Sequence, residues 1–119
     1  MAYGRIELRE RLERYLAFLE ENMRVQRAIL FGSYVYGSPG RWSDIDLVIL
    51  SPDFKGVPYP KRLEMLAMLA WRAGVGDIEA LGFTPEEFEK ASPASLLGEV
   101  RERGIVIYEA EEESEPGIP

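Results

Sequence analysis

This sequence predicts a single α/β (α+β) domain, with a mixed central sheet of about four strands flanked by helices. Three observations carry the prediction. At 119 residues, the chain is long enough for one buried core and too short for two. Its 46% apolar content excludes a disordered protein for most of the length. Short β-branched runs also alternate with segments of helical periodicity, the pattern of helices packed on one sheet.

From Arg5 to about Met23, the residues Leu8, Leu12, Tyr15, Leu16, Leu19 and Met23 fall on one helical stripe with Glu and Arg between them. Val25 to Phe31 reads as a strand. Gly32-Ser33 then turns the chain, and Ser33 to Tyr36 suits one or two helical turns, closed by Gly37 and broken by Ser38-Pro39-Gly40. Trp42 and Ser43 lead into a second strand, Asp44 to Leu50, whose Leu-Val-Ile-Leu run signals burial on both faces. Ser51 to Tyr59 is a loop. Pro60 suits the first position of a helix reaching Ala73, with Leu63, Leu66, Ala67, Ala70 and Trp71 on the expected buried side. Gly74-Val75-Gly76 breaks it, and Asp77 to Phe83 reads as the third strand. Thr84-Pro85-Glu86-Glu87 is a capping-box start for a short helix. Ser92-Pro93 is the expected start of another, with Leu96, Leu97 and Val100 inward and Gly104 as its end. Ile105 to Tyr108 is a last strand. Residues 1–109 thus form the domain, and 110–119 an acidic tail expected to be disordered.

Composition narrows the chemistry. There is no histidine and no cysteine, so thiolate sites, disulfides and the usual general base are absent, and chemistry must rest on carboxylates and hard cations. The lack of cysteine, of a long apolar run and of a signal-like N-terminus fits a cytoplasmic protein with no membrane partner. The net charge of −7 argues against direct nucleic-acid binding. Much of that charge is local: Glu109, Glu111, Glu112, Glu113 and Glu115 sit in the tail, and the rest of the chain is close to neutral.

One constellation stands out: an apolar strand, Gly32-Ser33, ten residues, Asp44-Ile45-Asp46, and a second apolar strand. Gly32 lets backbone approach a phosphate with no side chain in the way. Ser33 adds a hydroxyl, and helical amides after it would face the ligand. Asp44 and Asp46, two apart at a strand start, project from one face with Cβ atoms about 6–7 Å apart. Two such carboxylates repel unless a divalent cation lies between them, and oxygen ligands favour Mg²⁺ or Mn²⁺. A third acid is expected from the neighbouring strand, where Asp77 and Glu79 share a face. Alone, Gly-Ser is an ordinary turn, Asp-x-Asp an exposed strand end, and Asp77 or Glu79 a surface acid. Their ordered combination points instead to a metal-dependent nucleotide site. Tyr34 and Tyr36 suit either stacking on a base or covering the core edge, and capping explains Glu86 and Glu87.

This pattern resembles the signature of the DNA polymerase β-like nucleotidyltransferase superfamily, and the length matches its smallest branch, the minimal nucleotidyltransferase (MNT) domains. The resemblance runs from about Met23 to Glu89, with Thr84-Pro85-Glu86-Glu87-Phe88 also similar. It implies a polymerase β-like fold, with Asp44 and Asp46 as catalytic metal ligands and Gly32 and Ser33 on the nucleotide phosphates. The third acid falls at Glu79 by its distance from Thr84, or at Asp77 by the strand offset of Asp44; the resemblance favours Glu79. Many relatives carry Arg where Tyr36 stands, a departure for which Arg41 is near enough to substitute. The family also implies ATP or another NTP as substrate, with AMP passed to a hydroxyl. The implied partner is a helical HEPN-domain protein, as in toxin–antitoxin pairs, and the amphipathic helices also suit a homodimer. Two other expectations stay open. One is a catalytically weak binding protein that neutralises a HEPN toxin by occlusion. The other is half of a small-molecule (antibiotic) nucleotidyltransferase.

Overall fold

The computed structural model describes residues 5–37 and 44–111. Arg41, the Ser38-Pro39-Gly40 break, the Trp42-Ser43 lead-in and the tail beyond Glu111 therefore lie outside the described residues.

Helix α1 (Arg5–Asn22) leads into β1 (Arg27–Phe31), the one-turn helix α2 (Ser33–Tyr36) and β2 (Ile45–Leu50). A 3₁₀ turn at Pro52–Phe54, helix α3 (Tyr59–Arg72), β3 (Ile78–Phe83), α4 (Pro85–Lys90), α5 (Leu96–Arg103) and β4 (Ile105–Glu109) follow. The sheet order is β3-β2-β1-β4. The central strand β1 is antiparallel to both neighbours, while β2 and β3 run parallel, as the crossover through α3 requires. The expected mixed four-stranded sheet is thus the fold observed.

Alternation along the strands divides the core in two. Ala28, Leu30, Leu47 and Ile49 point to the face covered by α1 and α3, where Tyr15, Leu19, Leu66 and Leu69 meet them. Ile29, Phe31, Val48 and Leu50 point to the other face, against Phe88 of α4 and Val100 of α5. With both faces covered, β2 is buried along most of its length, as its continuous apolar run implies. The fully buried Tyr15 hydroxyl donates to the Leu66 carbonyl at 2.9 Å, tying α1 to α3. Among the described residues no helix is long and apolar enough to cross a membrane.

Three expectations are corrected. Trp71 is 77% exposed and Ala67 is also exposed, so α3 buries a stripe of Arg62, Leu66, Leu69 and Ala70 instead. Leu96 is likewise exposed rather than inward. The last helix begins at Leu96, not at Ser92-Pro93. Ser92 closes a turn by accepting from the Ser95 amide at 2.9 Å, and Ser95 Oγ caps the helix by accepting from the Gly98 amide at 3.1 Å. Serines favour such local hydrogen bonds over helical backbone, and Gly98 permits the tight return because a Cβ there would lie 2.3 Å from the Ser92 carbonyl oxygen.

Arg62 explains the rotation of α3. Its Nε donates to the Val57 carbonyl at 2.8 Å, and its terminal nitrogens bind both Glu87 oxygens at 2.7 and 3.2 Å. Glu87 also closes the capping box, accepting from the Thr84 amide at 2.8 Å while Thr84 Oγ1 caps the Glu87 amide. The Arg62 guanidinium and these hydrogen bonds hold the Glu87 carboxyl below the ordinary glutamate range. A depressed folded-state value contributes stability that is complete above the unfolded value and is lost as pH falls through the folded one. Glu87→Gln should therefore lower stability at neutral pH by roughly 1 kcal/mol, the scale of a hydrogen bond to a charged group reduced by solvent screening because the Glu87 side chain is 44% exposed. Melting curves of both proteins should converge as pH falls below the ordinary glutamate range and through the depressed value of Glu87.

Candidate active site

The site forms where β1 and β2 meet at one end of the sheet. Phe31, the last residue of β1, stands opposite Asp46 of β2. The chain then turns at Gly32, whose φ of 78° lies in the left-handed region. A Cβ at Gly32 would lie 2.3 Å from Asp46 Oδ2, so the glycine is what lets the carboxylate lie against the turn. Its carbonyl accepts from the Val35 and Tyr36 amides at 2.9 and 3.1 Å, starting α2 at Ser33, and Gly37 ends that single turn.

Asp44 lies just before β2 and Asp46 within it. On the parallel neighbour, Glu79 is directly opposite Asp46, across a strand spacing of about 4.8 Å. The Glu79 carboxyl is shifted above the ordinary range, first because a hydrogen bond with Asp44 favours its protonated form, then through burial and the charges of Asp44 and Asp46. Asp46 is also raised, by burial first and by Asp44 second. Like charges held this close favour either protons or a cation among them. Among the described residues, no group of three or more carboxylates forms a ready-made cation cage; these three approach one another along the strand ends.

The two candidates for the third acid go different ways. Asp77 forms an ion pair with Arg11 of α1, and its carbonyl accepts from the Ile45 amide at 3.0 Å. Glu79 is the one that joins Asp44 and Asp46. Periodicity could not separate the two, because Arg11 comes from 66 residues away. Ser33 sits immediately beside Gly32, as the sequence requires, and Arg41 is outside the described residues. Tyr34 packs on the α1 side of the core. Tyr36 packs on the opposite cluster with Phe31 and Val100, and the Arg103 guanidinium lies over its ring, 4.4 Å from the centroid. Nothing local in the sequence links Tyr36 to Arg103.

Comparison with known proteins agrees with this architecture. No curated protein matches the chain. Its fold is similar to that of a chain in a crystal structure of a toxin–antitoxin with AMP-PNP. The TM-score is 0.58 at 24% identity, covering 83% of this chain and 73% of that one. Residues 9–115 match the model of the nucleotidyltransferase domain. With its mixed sheet, its Gly32 turn and its strand-end carboxylates in that order, this chain belongs to the nucleotidyltransferase domain family.

Proposed function

We propose that this protein is a metal-dependent nucleotidyltransferase that moves a nucleoside monophosphate, AMP from ATP, onto a hydroxyl of a partner protein of the HEPN type. In this reading it is the antitoxin of a toxin–antitoxin pair. The observation that carries the proposal is the approach of Glu79 to Asp44 and Asp46 on neighbouring strand ends, with Asp46 lying against the Gly32 turn. Membership of the nucleotidyltransferase family supports the reaction class, and the fold it shares with a chain from a toxin–antitoxin structure supports the setting.

The donor set fits the group this chemistry needs. It is all oxygen and anionic, and burial, hydrogen bonding and neighbouring charge together raise the proton affinity of Asp46 and Glu79, a cost to the ionised forms that a divalent cation would relieve. Asp44, Asp46 and Glu79 would hold Mg²⁺ or Mn²⁺, which when bound neutralises phosphate charge and lowers the proton affinity of the acceptor oxygen. The chain's own residues supply the rest. Gly32 lets Asp46 lie against the turn, and Ser33 Oγ, next in the chain, donates to a phosphate oxygen. The acceptor oxygen attacks the α-phosphorus, the bond from that phosphorus to the pyrophosphate oxygen breaks, and a carboxylate takes the acceptor's proton. Asp77, held by Arg11, takes no part.

Calorimetric titration of ATP with and without Mg²⁺ tests the reading. Binding should require Mg²⁺ and should vanish in the Asp44→Asn/Asp46→Asn double variant; binding that survives in the variant would overturn the site. A second reading is a protein that neutralises its toxin by occlusion, favoured by the lack of a ready-made cation cage among the described residues. The double variant would then still neutralise the partner. As half of a small-molecule nucleotidyltransferase, the chain would instead have to modify an antibiotic as a homodimer.

A further inference from the structure

Several basic side chains among the described residues are already engaged. Arg11, Arg24, Arg27 and Arg62 pair with Asp77, Asp53, Glu109 and Glu87, and Arg101 donates to the Phe88 and Ala91 carbonyls. Arg103 differs. It is the exposed last residue of α5, and among the described residues no carboxylate or carbonyl accepts from it. Among the described residues its partner is the Tyr36 ring, whose centroid lies 4.4 Å from the guanidinium carbon.

Topology puts this pair at the reactive end of the sheet. Gly104 follows Arg103, and Ile105 opens β4 opposite Leu30, one residue before Phe31, which faces Asp46. Tyr36 packs with Phe31 and Val48, and Asp46 shares their face by strand alternation. Carboxylates, Gly32 turn, α2 and Arg103 therefore follow one another on one side of one sheet end. The reacting α-phosphate must lie by the carboxylates. Tyr36 follows Gly32 by one helical turn, about 5 Å along the axis, and the cation over its ring is placed for the groups beyond that phosphate.

We propose that Arg103, seated on the Tyr36 ring, binds the β- and γ-phosphates of the nucleoside triphosphate. The proposal rests on the nucleotide site read above and adds a residue to it. Stacking occupies the faces of a guanidinium and leaves its edge N–H groups for paired hydrogen bonds to phosphate oxygens. Tyr36 fixes the orientation of that fork before the ligand arrives. When the bond between the α-phosphorus and the bridging oxygen breaks, negative charge grows on the departing pyrophosphate, and a fixed cation there favours the transition state over the ground state. Exposure of the side chain means its removal leaves the core untouched.

The test is Mg²⁺-ATP and Mg²⁺-AMP titration of the full chain as wild type, Arg103→Gln, Arg103→Lys and Arg41→Gln. Arg103→Gln should weaken ATP by about 10- to 100-fold, the scale of hydrogen bonds to a charged group, with AMP affinity and melting temperature unchanged. Arg103→Lys should restore only part of the loss, because an ammonium cannot form the paired contact. Unchanged ATP affinity in Arg103→Gln, or equal weakening of ATP and AMP, overturns the proposal. If ATP binding is instead lost in Arg41→Gln and kept in Arg103→Gln, the site stands and Arg41 is its cation. If the wild type itself binds no Mg²⁺-ATP, the nucleotide site falls, and this proposal with it.

Discussion

Asp44→Asn should lower nucleotide transfer by at least about 10²–10³-fold, the scale on which one preorganised electrostatic group counts, and should leave the protein as stable as before or more so. The two halves of that result come from one piece of geometry. Asp44 is the first cause of the raised proton affinity of Glu79 and, after burial, also raises that of Asp46, so its charge is unfavourable to both neighbours at neutral pH. Sites kept for chemistry are commonly strained in this way. Replacing Asp44 by an isosteric amide removes one charge from the cluster and keeps a group able to hydrogen-bond with Glu79. The fold therefore loses nothing that holds it together, because Asp44 lies outside β2 and is exposed. Transfer assays on a co-purified partner, run beside thermal melting of the same preparation, check both halves. A large fall in melting temperature would mean that Asp44 serves the fold. Undiminished transfer would remove it from the site.

The same sheet end shows how much of the molecule is legible in its sequence. Gly32, Ser33, Asp44 and Asp46 are legible because each depends on local backbone: a turn needing positive φ, and a strand start whose period of two sets two acids on one face. The covering of both sheet faces is legible in the apolar runs for the same reason. The features that escape a sequence reading depend on distant partners. Asp77 and Glu79 have the same parity, and they are separated by distant partners: Arg11 for Asp77 and Asp44 for Glu79. Helix α3 is apolar nearly all round, from Leu63 to Trp71, so its stripe carries no clear phase. Its phase is fixed by Arg62, a charged residue that reads as outward-facing yet is buried. The Val57 carbonyl and Glu87 receive its donors there, as burial of a charge requires. Glu87, legible only as part of a cap, also holds the other half of that ion pair.

Gly32→Ala should be as damaging to transfer as loss of a carboxylate, and by a different route. A φ of 78° is strained for any side chain, at about 1–2 kcal/mol for an L-residue in the left-handed region. The larger effect is positional. The new methyl would occupy space now held by Asp46 Oδ2, 2.3 Å from the ideal Cβ, and real Cβ atoms do not approach other atoms so closely. Either the turn or the carboxylate must move. The turn is anchored by the hydrogen bonds that start α2, whereas Asp46 has rotamers available, so the carboxylate is the group that shifts. A displacement of about 1 Å in a reacting constellation lowers rates by about 10²-fold. The expected result is thus a modest fall in melting temperature with near-complete loss of Mg²⁺-dependent ATP binding and transfer. Gly32→Ser should behave alike, since the clash is at Cβ and not at atoms further out. Normal ATP binding by either variant would mean that nucleotide binding does not depend on Asp46 lying against this turn.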